Sequence, residues 1–110
     1  MQTANYHAYA LLLLGLLFAP SVMGEDVSPE RAAMLAGSCA NCHGTEGRLE
    51  GAIPRIAGRE QSVLETLLLA FKHDSGPDVT VMDRIAQGYS DAELSALAQY
   101  FASLEVDHED

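Results

Sequence analysis

The sequence predicts a small all-α domain, three to five helices wrapped around a group that is not protein. Apolar residues recur at spacings of three and four behind capping residues, and no segment shows the strict alternation of a half-buried strand. Two stretches rich in Gly and Pro separate the helical segments. Aromatic residues are scarce, with no Trp, 3 Phe and 4 Tyr in 110 residues, so side chains alone make a thin core.

The N-terminal segment stands apart from that domain. Residues 2–24 carry no formal charge, and Ala8 to Phe18 is apolar throughout apart from Gly15, the length of a signal-peptide core. Val22 and Gly24 are acceptable at positions minus three and minus one of a cleavage site, although the leading MQTANYH lacks Lys and Arg. The expectation is a cleaved signal peptide over 1–24 and an exported, periplasmic domain over 25–110. The alternative is an uncleaved membrane anchor, which ranks second because the apolar block falls short of the roughly 20 residues a spanning helix needs; after cleavage no membrane association is expected.

The first helix of the domain is announced by Ser28-Pro29-Glu30: a cap, a proline at the first helical position and an acid in the first turn. Gly44, Gly47, Gly51, Pro54 and Gly58 then break any period, making Thr45 to Arg59 a long loop anchored by Leu49, Ile53 and Ile56. Gln61 to Lys72 returns to helix, with Val63, Leu64, Leu67, Leu68 and Phe71 on one face. His73 to Val81 is a second irregular stretch, turned by Gly76-Pro77. The last helix follows the capping box Ser90-Asp91-Ala92-Glu93, with Tyr89 and Leu94 as a hydrophobic staple and Leu94, Leu97, Phe101 and Leu104 as the buried stripe. Glu105 to Asp110 is a solvated acidic tail.

Charge narrows the function. Six Lys and Arg stand against 16 Asp and Glu, a net charge of −10, with no basic cluster. Such a chain cannot displace counterions from a phosphate backbone, which excludes nucleic acid as a partner, and anionic headgroups repel it.

The chemistry lies in Cys39-Ala40-Asn41-Cys42-His43, the C-x-x-C-H spacing of covalent haem attachment. On one helical turn, residues i, i+3 and i+4 share a face, so two thiols reach two vinyl groups while the imidazole reaches the iron. A thioredoxin-like dithiol needs strands that are missing, and structural zinc needs a second ligand pair that is missing too. A plain disulfide gives no reason for His43. The expected cofactor is therefore one haem c, covalent through Cys39 and Cys42, with His43 on the iron.

Met34, Met82, His73 and His108 are the candidates for a second axial ligand. Met34 lies in the helix leading into Cys39 and reads as a core side chain, and His108 sits in the charged tail. Met82 follows His43 by 82 − 43 = 39 residues, beyond an intervening helix, which leaves chain enough to reach the opposite face; it is the expected ligand ahead of His73. A thioether raises the potential and closes the iron to small ligands, so the site is expected to pass electrons and to have no catalytic residues of its own.

On these residues the chain resembles the class I cytochromes c of the small bacterial type. Cys39 to Gly44 reads CANCHG, Pro54 to Gly58 matches that family's Pro-x-apolar-x-Gly segment, and Met82 falls at the sulfur ligand's place. The resemblance implies the class I cytochrome c fold around one haem, with the Pro54 carbonyl holding His43 Nδ1 and the last helix crossing the first, here at Ala32 and Ala33 where relatives often have Gly. Arg55, Arg59, Arg84, Tyr89 and Tyr100 are candidates to reach a haem propionate.

Ala52-Ile53-Pro54 to Ala57-Gly58 and Val81 to Leu94 are further similar to the cytochrome subunit of flavocytochrome c sulfide dehydrogenase, although here there is a single haem motif. That implies a monohaem electron-transfer subunit taking electrons from a flavoprotein partner; the alternative is a free-standing carrier between periplasmic redox complexes. Acids crowding Met82, at Asp74, Asp78 and Asp83, imply a basic or neutral rim on any docking partner.

Overall fold

The computed structural model describes residues 26–74 and 80–106, which form four α-helices and one 3₁₀ turn. The segment 1–24, the Gly76-Pro77 turn, Asp78 and His108 lie outside the described residues. In order, the helices are α1 (Pro29–His43), α2 (Gln61–His73), α3 (Val81–Ala86) and α4 (Asp91–Ser103), with the 3₁₀ turn Thr45–Gly47 directly after α1. No strand occurs among the described residues.

Three of the four helices begin where a side chain satisfies a free amide, whereas α2 starts at Gln61 without a side-chain cap. Ser28 accepts from the Arg31 amide and Pro29 occupies the first turn of α1, which then runs unbroken through the cysteines to His43. Ser90 accepts from the Glu93 amide at 3.1 Å while Glu93 accepts from the Ser90 amide at 3.0 Å, the reciprocal box that starts α4. Thr80 caps α3 by accepting from the Met82 amide at 3.2 Å. This six-residue helix is not anticipated by the sequence, where the irregular stretch ends at Val81 and no element is expected before Ser90, because six residues are too few to display a period.

The core lies on α4. Leu94, Leu97, Ala98 and Phe101, spaced i, i+3, i+4 and i+7, are all buried, and Leu94 and Leu97 each stabilise the fold by about 1.5–3 kcal/mol. Helix α4 packs on α1 and on α2, and α2 packs on α3. At the α1–α4 crossing, Ala32 and Ala36 are buried whereas Ala33 faces water. Methyl side chains there suffice to seat one helix on the other. Arg31 and Glu93 link the two helices on the surface at 2.7 Å, and Ser38 bonds Tyr89, whose ring packs against the cluster containing Leu94.

Three expectations about packing are corrected. Met34 is 78% exposed, since it lies on the α1 face opposite Ala32, Ala36 and His43. Leu49 and Ile53 do not anchor the long loop; they are exposed, and backbone bonds with the half-buried Ile56 hold it instead. Val63 and Leu67 are exposed too, so only Leu64, Leu68 and Phe71 of the α2 stripe turn toward α4.

Candidate functional site

The C-x-x-C-H motif occupies the last turn of α1. Cys39 is half-buried against the core cluster, Cys42 is exposed, and the two thiols are unpaired. Burial pushes the Cys39 thiol above its usual range, and hydrogen bonding to Ser38 offsets this only in part. His43 ends the helix with its ring buried.

His43 Nδ1 lies 2.7 Å from the Pro54 carbonyl oxygen. A carbonyl only accepts, so Nδ1 carries the proton and Nε2 is left with its lone pair. The chain reaches this geometry by reversing immediately after the helix. Gly44 and Gly47 take φ of 80° and 73°, Glu46 takes 54°, and the Leu49 amide returns to the His43 carbonyl at 2.8 Å. The Gly47 carbonyl then accepts from the amides of Ile56 and Ala57 at 2.9 and 3.1 Å, which brings Pro54 back over the imidazole. Gly58 closes the loop by donating to the Phe101 carbonyl at 2.8 Å.

Met82 is half-buried at the start of α3. His73, the other imidazole candidate in the described residues, directs Nε2 at Asp91, 2.9 and 3.0 Å from its two carboxylate oxygens. Lys72 Nζ joins the same carboxylate at 2.7 Å and the Tyr89 carbonyl at 2.8 Å, and the hydrogen bonds from Lys72 and then His73 hold the Asp91 carboxyl below its ordinary range. Gln87 donates to the Lys72 carbonyl at 2.9 Å, so the turn after α3 is tied to the end of α2. The guanidinium of Arg55 meets Glu50 at 2.8 Å. Arg59 and Arg84 form no ion pair among the described residues.

The donor set suits a porphyrin. Two unpaired thiols one turn apart adjoin an imidazole with one nitrogen committed to a carbonyl and the other free. Leu49 and Ile53 from the loop, Val63 and Leu67 from α2, and Val81 and Ile85 from α3 leave apolar surface uncovered by protein. Arg48 and Glu105 also belong to the loop's support: the Arg48 side chain bonds Glu46 at 3.0 Å and the carbonyl of Glu105, the first residue of the expected solvated tail, at 2.6 Å. No sequence signal marks that pairing, whose partners are 57 residues apart.

A family model described as Cytochrome c matches residues 30–105. The chain is 42% identical over 80 residues to the cytochrome subunit of sulfide dehydrogenase from Chlorobaculum tepidum, covering 73% of this chain and 72% of that one. It is 33% identical over 72 residues to cytochrome c-554(548) of Halomonas halodenitrificans, covering 63% and 87%. It is 34% identical over 97 residues to the thiosulfate dehydrogenase electron acceptor of Thiomonas intermedia, covering 86% of this chain but only 42% of that protein.

Proposed function

The chain belongs to the cytochrome c family, an electron-transfer protein with one haem c held through Cys39 and Cys42, and on that premise we propose that His43 and Met82 are its axial ligands. The observation that carries the His43 half of this reading is the single free nitrogen of its ring, and Met82 is supported by its place in the sequence and its half-buried position in α3. With Nδ1 donating to Pro54 at 2.7 Å, the ring is fixed in one tautomer and Nε2 alone can ligate. The carbonyl also makes the imidazole a stronger donor, while the Met82 thioether is a weak one that favours the reduced metal. When bound, the haem supplies a centre that cycles between ferric and ferrous states. The protein's part is to hold two ligands, exclude water with apolar side chains and take up charge without rearranging. Arg59 and Arg84, free of ion pairs among the described residues, are the cations available to a propionate.

The proposed place of work is the periplasm, after removal of residues 1–24, with the chain as haem subunit to a flavin-containing sulfide dehydrogenase. The resemblance over Val81 to Leu94 and the identity to a sulfide dehydrogenase subunit support this reading. The absorption spectrum of the mature haem-loaded protein tests the ligands: a sulfur-to-iron charge-transfer band is expected in the ferric form and is lost in Met82→Ala, which gains carbon monoxide binding when reduced. Rapid carbon monoxide binding by the unmodified protein would remove Met82 from the iron. Affinity capture from periplasm is expected to bring down a flavoprotein; a free monomer throughout would favour the independent carrier.

A further inference from the structure

We propose that Arg48 is a positioning residue for the His43 imidazole, clasping the C-terminal tail to the loop that presents Pro54 and so setting the reduction potential from outside the haem site. The inference rests on the proposed ligation by His43 and concerns residues that touch neither thiol nor imidazole.

The side chain of Arg48 makes two bonds in different directions. Nε donates to Glu46 Oε2 at 3.0 Å and Nη1 donates to the Glu105 carbonyl at 2.6 Å. Glu46 needs that partner, being the one described residue other than glycine with positive φ, a conformation its Cβ disfavours. The backbone of Arg48 sits between the two points that govern the imidazole. Before it, the Gly47 carbonyl holds the amides of Ile56 and Ala57; after it, the Leu49 amide holds the His43 carbonyl. The tail to which Arg48 bonds is itself seated on the loop, since a Cβ at Gly58 would lie 2.6 Å from a Val106 methyl. One guanidinium thus ties the turn after α1 to the C-terminal tail, and the Gly47 carbonyl links that turn to the segment just after Pro54.

An isolated surface ion pair such as Arg48–Glu46 contributes little to stability, so a purely structural role predicts a small effect. The bond network predicts something else. If the loop is free to drift, the Pro54 carbonyl holds Nδ1–H less tightly, the imidazole donates less strongly to iron, and the ferric state loses stabilisation relative to the ferrous one.

The test compares holoproteins of the wild type, Arg48→Met and Arg48→Lys by midpoint potential and by deuterium exchange of the His43 Nδ1 proton in the reduced state. Arg48→Met is expected to shift the ferric–ferrous equilibrium at least threefold toward ferrous, an upward move of about 28 mV at 59 mV per tenfold, and to speed Nδ1–H exchange at least threefold. Arg48→Lys, which can still donate to Glu105 but cannot fork to both acceptors, is expected to recover at least half of both changes. A chain ending at Leu104 removes the acceptor instead of the donor and should shift the potential the same way, which keeps the test decisive if Arg48→Met does not fold. Unchanged potential and exchange in Arg48→Met, even with a lower melting temperature, would overturn the proposal, as would a shift accompanied by loss of the sulfur-to-iron band. A wild-type holoprotein without His43 on the iron would overturn the ligand assignment as well, whereas a wild type with normal ligation and an inert Arg48 overturns this inference alone.

Discussion

Gly47 lies against the Phe101 ring of the last helix. A Cβ there would stand 2.5 Å from Ile56 Cγ1 and 3.0 Å from the Phe101 ring, and the residue's φ of 73° disfavours any side chain. Gly47→Ala therefore combines left-handed strain with overpacking and should destabilise the holoprotein by about 2–5 kcal/mol. Thermal unfolding followed by haem absorbance checks this; a loss under about 1 kcal/mol would mean that the loop moves aside. Gly37, whose Cβ would meet nothing within 4 Å, is the control: Gly37→Ala should stabilise α1 by several tenths of a kcal/mol to about 1 kcal/mol. Two glycines ten residues apart respond in opposite senses because one backs onto a ring and the other onto water.

Among the elements, α4 carries the fold and its first turn carries much of the electrostatics. Ser90→Ala removes one half of the capping box and is expected to cost about 1 kcal/mol, read from the denaturant midpoint at neutral pH. Asp91 lies in the same turn and is held below its ordinary value of 3.8, chiefly by the hydrogen bond from Lys72 and then by the one from His73. A depressed carboxyl binds its proton more weakly in the native state than in the unfolded one. The contribution is thus fully present above the unfolded value and is lost as pH falls through the folded one. Asp91→Asn should make unfolding less sensitive to pH in the acid range below about 4, and an unaltered acid profile would show that this carboxylate's ties do not stabilise the fold. The same cluster binds α2 to the turn after α3, so it also braces the element that carries Met82.

For the whole molecule, a net charge of −10 governs encounter more than stability. With Arg31, Arg48, Arg55 and Lys72 already facing carboxylates, half or more of the local positive charge is neutralised in place and the long-range field is negative. Electron transfer with a cationic acceptor should slow as salt rises from about 10 to about 150 mM, where screening shortens from about 30 to about 8 Å, and transfer to an anionic complex should quicken. Stopped-flow rates across that range measure both slopes. Equal slopes for the two acceptors would mean that the net field does not steer docking.

The starts of α1, α2 and α4, the haem motif and its cofactor were legible in the residues, because caps, apolar periods and C-x-x-C-H act within a few positions of the chain; the start of α3 was not. Ser28, Ser90 and Cys39 to His43 need no distant partner to reveal their role. Local pattern could not tell which apolar residues turn inward: Met34 and Leu49 obey the same preferences as buried residues, yet the packing of α4 leaves both outside. Nor could it show that Glu46 takes a left-handed conformation or that Arg48 reaches Glu105, since both depend on where the tail lands after α4. The sequence by itself determined the cofactor and the family. The pairing of His43 with Pro54 was foreseen through the family resemblance, whereas the seating of the C-terminal tail on the loop emerges in three dimensions alone, because it is a sum of contacts between segments that share no local code.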